Sequence, residues 1–168
     1  MKLTPMLVRA ALPFLSDGNR RAPREVLAAL ATLSPPDEVI ARLTWSARSD
    51  GTTTWRVLWL TEAGLSYCEA MHPAEGQWSF DSEPDHAGRS SITARLIPVR
   101  QLRSVQVADI RSDTDASVTN VAVLQTIEVD GMAPIPVPLS GELPTPYEED
   151  ACSEFLTRLR EVLRRVPA

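Results

Sequence analysis

Residues 42–70 read RLTWSARSDGTTTWRVLWLTEAGLSYCEA and hold three of the chain's four tryptophans. Apolar side chains recur at every second position, at Leu43 and Trp45 before the SDG step and at Trp55, Val57 and Trp59 after it. That period is the pleat of a half-buried β-strand, and a turn between two such runs makes a hairpin. The turn decides which residues face each other. A three-residue loop, Ser49-Asp50-Gly51 with glycine in the left-handed third position, pairs Trp45 with Trp55, Leu43 with Val57 and Ala41 with Trp59. Every apolar residue then falls on one face. A two-residue Asp50-Gly51 loop pairs Trp45 with Arg56 and Ser46 with Trp55, mixing the faces, and a slip of one residue inverts burial. The expectation is therefore the three-residue loop, with the indoles turned inward together as core. An exposed aromatic platform is the competing reading. Leu58 and Leu60 lie on the other face with Ile40 and need a cover, for which helices at the N-terminus are the candidates.

Those helices are predicted over residues 4–33. Thr4-Pro5 suits an N-cap and first helical position, and Leu3, Met6, Leu7, Ala10, Ala11 and Phe14 form a stripe that Pro13 cuts short. After an SDGN turn at 16–19 and the basic step Arg20-Arg21, Pro23 opens a second helix. Its Val26, Leu27, Leu30 and Leu33 share a face, and Ser34-Pro35-Pro36 stops it. The first residues, MKLTPMLVRAALPFLSDGNRR, have the lysine and short apolar run of a secretory signal. Arg9 interrupts that run and no small-x-small cleavage site follows cleanly, so the segment reads as a folded part of a cytoplasmic protein. No window approaches the ~20 consecutive apolar residues of a membrane span.

Toward the C-terminus a third strand follows the TEAG turn, over residues 65–70. MHPAEGQWSFDSEPDHAGRSS, residues 71–91, is rich in proline, glycine, serine and acid, and predicts a long loop anchored by Trp78 and Phe80. Strands resume over 92–97, 102–111 and 118–129, with IRSDTDAS supplying the turn chemistry between the last two. In residues 133–139, APIPVPL, the prolines at 134, 136 and 138 remove three N–H groups from one side. Such a strand belongs at a sheet edge, which it blunts against accidental pairing. A four-residue turn over 129–132 sets Leu124 opposite Val137 and Ala122 opposite Leu139. A proline-rich ligand for an aromatic groove is the alternative. Last, Thr145-Pro146-Tyr147-Glu148 is a capping box with proline at the first helical position, followed by Cys152, Phe155, Leu156, Leu159, Val162, Leu163 and Val166 on one stripe. Acidic residues at its start and Arg164 and Arg165 at its end match the helix dipole, and the helix runs for about 20 residues, roughly 30 Å.

Composition bounds the rest. The 168 residues are 43% hydrophobic, enough for one core of ordinary size. Of 17 basic residues one is a lysine, the skew of a GC-rich genome. The net charge of −5 is unevenly spread: residues 1–60 carry 8 basic and 5 acidic side chains, 61–150 carry 5 and 15, and 151–168 carry 4 and 2. An acidic centre excludes generic nucleic-acid binding, which needs a basic face to neutralise phosphates. The two cysteines, Cys68 and Cys152, fall in a strand and a helix and read as buried free thiols.

Strands in sequence followed by one amphipathic C-terminal helix is an order that resembles the pleckstrin-homology-like (PH-like) family. RVLWLTEAGLSY, residues 56–67, is similar to a strand–turn–strand of bacterial PH-like domains, and LIPVRQLRSVQV, residues 96–107, to their stretch in which Ile-Pro leads into the next strand. The similarity covers about residues 37–166. It implies an α+β fold: a bent antiparallel sheet, or partly open barrel, of about seven strands capped by the C-terminal helix. Two short N-terminal helices precede it, so that residues 1–36 form an appendage and 37–168 the PH-like domain. It also implies binding rather than catalysis. Relatives that hold phosphoinositides use a basic first hairpin, for which Arg42, Arg48 and Arg56 stand here, though without lysine and with Asp50 at the tip. Several relatives dock extended peptides between the edge strand and the helix, which would involve Pro134, Pro136, Pro138, Arg158 and Arg165.

No catalytic motif supplements this. His72 and His86 fall in the expected loop, where a general base lacks rigid support. Asp81, Glu83, Asp85 and His86 read as a solvated acidic loop, and Asp109, Asp113 and Asp115 lack the glycine and distal glutamate of a calcium loop. The expected class is a non-catalytic cytoplasmic binding module without cofactor or metal, engaging a protein partner and capable of homo-oligomerisation. The alternative is a peripheral module for anionic membrane surfaces, whose binding falls as salt rises.

Overall fold

The computed structural model describes residues 16–17, 20–73, 78–83, 88–115 and 118–165. The chain is α+β. Seven antiparallel strands form a four-stranded and a three-stranded sheet, with no closed barrel among the described residues, and a helix ends the chain. It divides into two compact units, Met1–Leu96 and Ile97–Ala168.

In the first unit, two short strands, β1 (Ser16–Asp17) and β2 (Arg20–Arg21), pair where the SDGN turn was expected. The first of the two expected N-terminal helices falls outside the described residues. The second is α1 (Arg24–Leu33), which begins after Pro23 and turns Val26, Leu27 and Leu30 inward. Ser34 ends it: its N–H donates to the Leu30 carbonyl at 2.9 Å, and Pro35-Pro36 cannot continue the ladder. Four strands follow in the spatial order β3 (Ala41–Ser49), β4 (Thr52–Thr61), β5 (Gly64–Pro73), β6 (Ser91–Pro98).

The first hairpin departs from expectation. Its loop is the two-residue Asp50-Gly51, with Ser49 opposite Thr52, Trp45 opposite Arg56, Ser46 opposite Trp55 and Ala41 opposite Leu60. Asp50 and Gly51 have φ of 50° and 73°, the paired left-handed conformations of a type I′ turn, whose twist matches that of the flanking strands. The criterion that favoured the longer loop, one apolar face, does not apply to β4. From Val57 to Thr61 every residue of it is buried, so this strand has no solvent face on which to place polar residues. Trp55, Val57 and Trp59 look toward α1 and form a core with Val26, Leu27, Leu30, Cys68, Ala70 and Trp78. Trp45 does not join them; it lies half-buried on the opposite face. The helix therefore covers the tryptophan face and not, as expected, the face of Leu58 and Leu60, both of which are also buried. The segment after β5 is tied down at its described residues. Trp55 Nε1 donates to the Trp78 carbonyl at 2.8 Å, the Phe80 N–H to the Arg21 carbonyl at 3.0 Å, and the Arg24 guanidinium stands 5.1 Å over the Phe80 ring.

In the second unit, β7 (Leu102–Asp115), β8 (Val118–Val129) and β9 (Ile135–Val137) form a sheet in that order. The apolar residues of β7 stand at 102, 105, 107 and 110, which is no regular period of two. Register shifts between Leu102 and Ser104 and between Val107 and Asp109 bring all four to one face, opposite Val129, Ile127, Gln125 and Val123. On β9, Val137 opposes Gln125 and Ile135 opposes Ile127, one place from the expected pairing of Leu124 with Val137. The loop holds five residues rather than four, and this register keeps Ile135 and Val137 on the face of buried Ile127. The last element, α2 (Pro146–Arg165), buries Cys152, Phe155, Leu156, Leu159 and Val162. Half of its capping box is formed as expected: the Thr145 N–H donates to Glu148 Oε2 at 2.9 Å. The Thr145 hydroxyl also donates to that carboxylate, at 2.8 Å. Arg160 Nη2 donates to Gln125 Oε1 at 2.9 Å, joining α2 to the apolar face of β8.

Candidate interaction surfaces

The corrected hairpin register redistributes the arginines. Arg42 opposes Trp59 and Arg48 opposes Thr53, on the α1 side of the sheet, whereas Arg56 opposes Trp45 on the other. The three therefore do not converge on one cationic patch. Arg56 is engaged within the fold: its guanidinium lies 5.1 Å over the Trp45 ring, and its Nη2 is 3.4 Å from Glu69 Oε1. The Tyr67 hydroxyl donates to Glu69 Oε2 at 3.3 Å, so a tryptophan, a cation, a carboxylate and a phenol form one chain across β3, β4 and β5. Burial first, then the negative Glu69, pushes the Tyr67 hydroxyl up to about 12, with Arg56 opposing.

The proline strand lies at the sheet edge, as its missing donors require. Pro134 is exposed, Pro136 half-buried opposite Thr126, and Pro138 buried, so the three do not present a common surface. Arg158 and Arg165 stand seven residues apart on one side of α2, and Arg158 Nη1 lies 3.1 Å from Glu161 Oε2.

A third surface has no counterpart in the sequence reading. Beyond Gln125 the apolar face of β7 and β8 continues outward: Ile110 opposes Val123, and Val121 comes two places later on the same face. Burial falls away along it. Ile127 is fully buried, while Val107, Ile110 and Val121 are 57%, 58% and 51% exposed. The signal that could have revealed it is the pair of valines at 121 and 123 read with Ile110 across the turn, but that Val107 joins their face depends on a bulge that no period displays.

His72 belongs to β5 rather than to a flexible loop. It is buried, with its ring 5.1 Å from that of Trp78 and Nδ1 3.0 Å from the Ser90 hydroxyl. His86 and Asp85 lie outside the described residues, while Asp81 and Glu83 are exposed. Cys68 and Cys152 are free and buried; burial, and secondarily Glu69 and Glu148, push both thiols up to about 12. Such thiols carry almost no nucleophilic thiolate at neutral pH. No helix among the described residues is long and apolar enough to cross a membrane. No protein family, curated protein or solved structure matches the chain.

Proposed function

We propose that the chain is a non-catalytic protein-binding module on a PH-like frame, working in the cytoplasm. The order of four strands, three strands and one C-terminal helix supports the frame. The observation that carries the binding role is the outer β7–β8 hairpin, where Val107, Ile110 and Val121 present more than half of their surface to solvent on one face. Scattered apolar residues are ordinary on a surface, but a row continuous with a core face marks a site of association. The hairpin's opposite face carries Asp109, Arg111, Gln106 and Thr126 beside Leu124 and Ala122.

The test is a pull-down from lysate of the native host with the tagged chain, wild type against Ile110→Glu, with captured copies of the chain itself distinguished by the tag. A stoichiometric protein retained by wild type and lost from the variant is the expected result. Retention of no protein, with both forms folded by circular dichroism, would remove the binding role.

A further inference from the structure

The two edges of the three-stranded sheet are treated differently by the sequence. The β9 edge holds Pro136 and is flanked by Pro134 and Pro138, whereas β7, at the other edge, runs for 14 residues with no proline and no lysine. Bulges and charges blunt an edge, so the template for another strand is the regular stretch of β7 from Asp109 to Asp115. We propose that this edge pairs antiparallel with β7 of a second copy of the chain about a two-fold axis at Ile110, an inference that rests on the reading of the chain as a protein-binding module. The argument for a second copy is charge. In an isologous contact residue i meets j and j meets i. Centring at Ile110 sets Asp109 opposite the copy's Arg111, and Arg111 opposite the copy's Asp109. Ile110 meets its own counterpart on the apolar face. Asp109 and Arg111 are already held on one face, 3.6 Å apart, with 46% and 77% of their side chains exposed, so both charges reach the seam. A register centred at Gln106 also opposes Arg103 to Asp109, but Arg103 is engaged with Asp130 and both bulges fall within that ladder, against one in the ladder about Ile110. Outward from Asp109 the pairing of β7 with β8 is unbroken through Asp115, so the ladder about Ile110 is regular over Asp109, Ile110 and Arg111, and the bulge at Ala108 bounds it on each side.

The test uses the full chain in a sedimentation concentration series together with engineered cysteines. In an antiparallel pair directly opposed Cα atoms lie about 4.5–5.5 Å apart, within disulfide reach. Oxidised Ile110→Cys should give a covalent dimer, while Val121→Cys, one strand inside the edge, should not. The native thiols stay silent because both are buried. Arg111→Asp, which sets two carboxylates together twice, should weaken the dimer roughly tenfold, and Asp109→Arg/Arg111→Asp should restore it. A chain that sediments as a monomer throughout overturns the inference. So does a dimer that ignores Arg111→Asp and yields no cross-link with Ile110→Cys, which places association elsewhere. A monomer whose β7 amides gain exchange protection only when lysate is added assigns the edge to a foreign strand, again against a second copy. The pull-down is scored separately, so a failed dimer leaves the binding-module reading standing on its own result.

Discussion

Trp55 and Trp45 show how two residues of one type, ten apart, take different work. Trp55 is fully buried beneath α1 and its indole N–H meets the Trp78 carbonyl, so Trp55→Ala should cost about 3–5 kcal/mol, measured by urea unfolding. Trp55→Phe keeps most of the volume but leaves that carbonyl without its donor, for an expected loss of about 1–3 kcal/mol. Trp45 is half-buried beside Arg56, and Trp45→Ala should cost clearly less than Trp55→Ala. Comparable losses at 45 and 55 would contradict the observed register. The alternation of Trp55, Val57 and Trp59 was legible as a core face from the sequence. The separation of Trp45 was not, because it depends on whether the loop counts two residues or three.

At the scale of elements, Asp50-Gly51 sets that count. Gly51, at φ 73°, tolerates no β-branched side chain without strain, and Gly51→Val should cost about 1–3 kcal/mol and loosen the hairpin. Its check is the loss of cross-strand nuclear Overhauser contacts between residues 45 and 56. At the start of α2, Glu148 accepts from both the N–H and the hydroxyl of Thr145, so Glu148→Ala should destabilise by about 0.5–2 kcal/mol in thermal or denaturant unfolding. Both described helices and the positions of the seven strands in the two larger sheets could be read locally, since caps, prolines and turn residues act within a few residues of themselves. The two bulges of β7 could not. They insert residues with no turn signature, and only the need to bring Leu102, Val105, Val107 and Ile110 to one face accounts for them.

For the whole molecule, the observable that gathers these sites is stability against alkali. Tyr67, Cys68 and Cys152 each stand at about 12 in the folded chain against ordinary values of 10.0 for the phenol and 9.0 for the thiols. Folding therefore raises their proton affinity. The stability they contribute is complete below pH 9 and is lost as pH rises through 9 to 12, because the unfolded chain ionises first. Unfolding midpoints should fall over that window, and Tyr67→Phe with Cys68→Ala should flatten the fall; an unchanged slope would remove these groups as its cause. What the sequence by itself determined is everything carried by neighbours along the chain: the α+β class, the strand positions, the proline-blunted edge and the C-terminal helix with its cap. What only the tertiary structure decided is which side each strand turns to which neighbour. That choice placed α1 over Trp55 and Trp59, divided Arg42 and Arg48 from Arg56, and left Ile110 and Val121 in solvent. The physical reason is that a strand's two faces alternate by single residues, so one residue in a turn or a bulge reverses every facing beyond it, and that residue is selected by the packing of the whole unit.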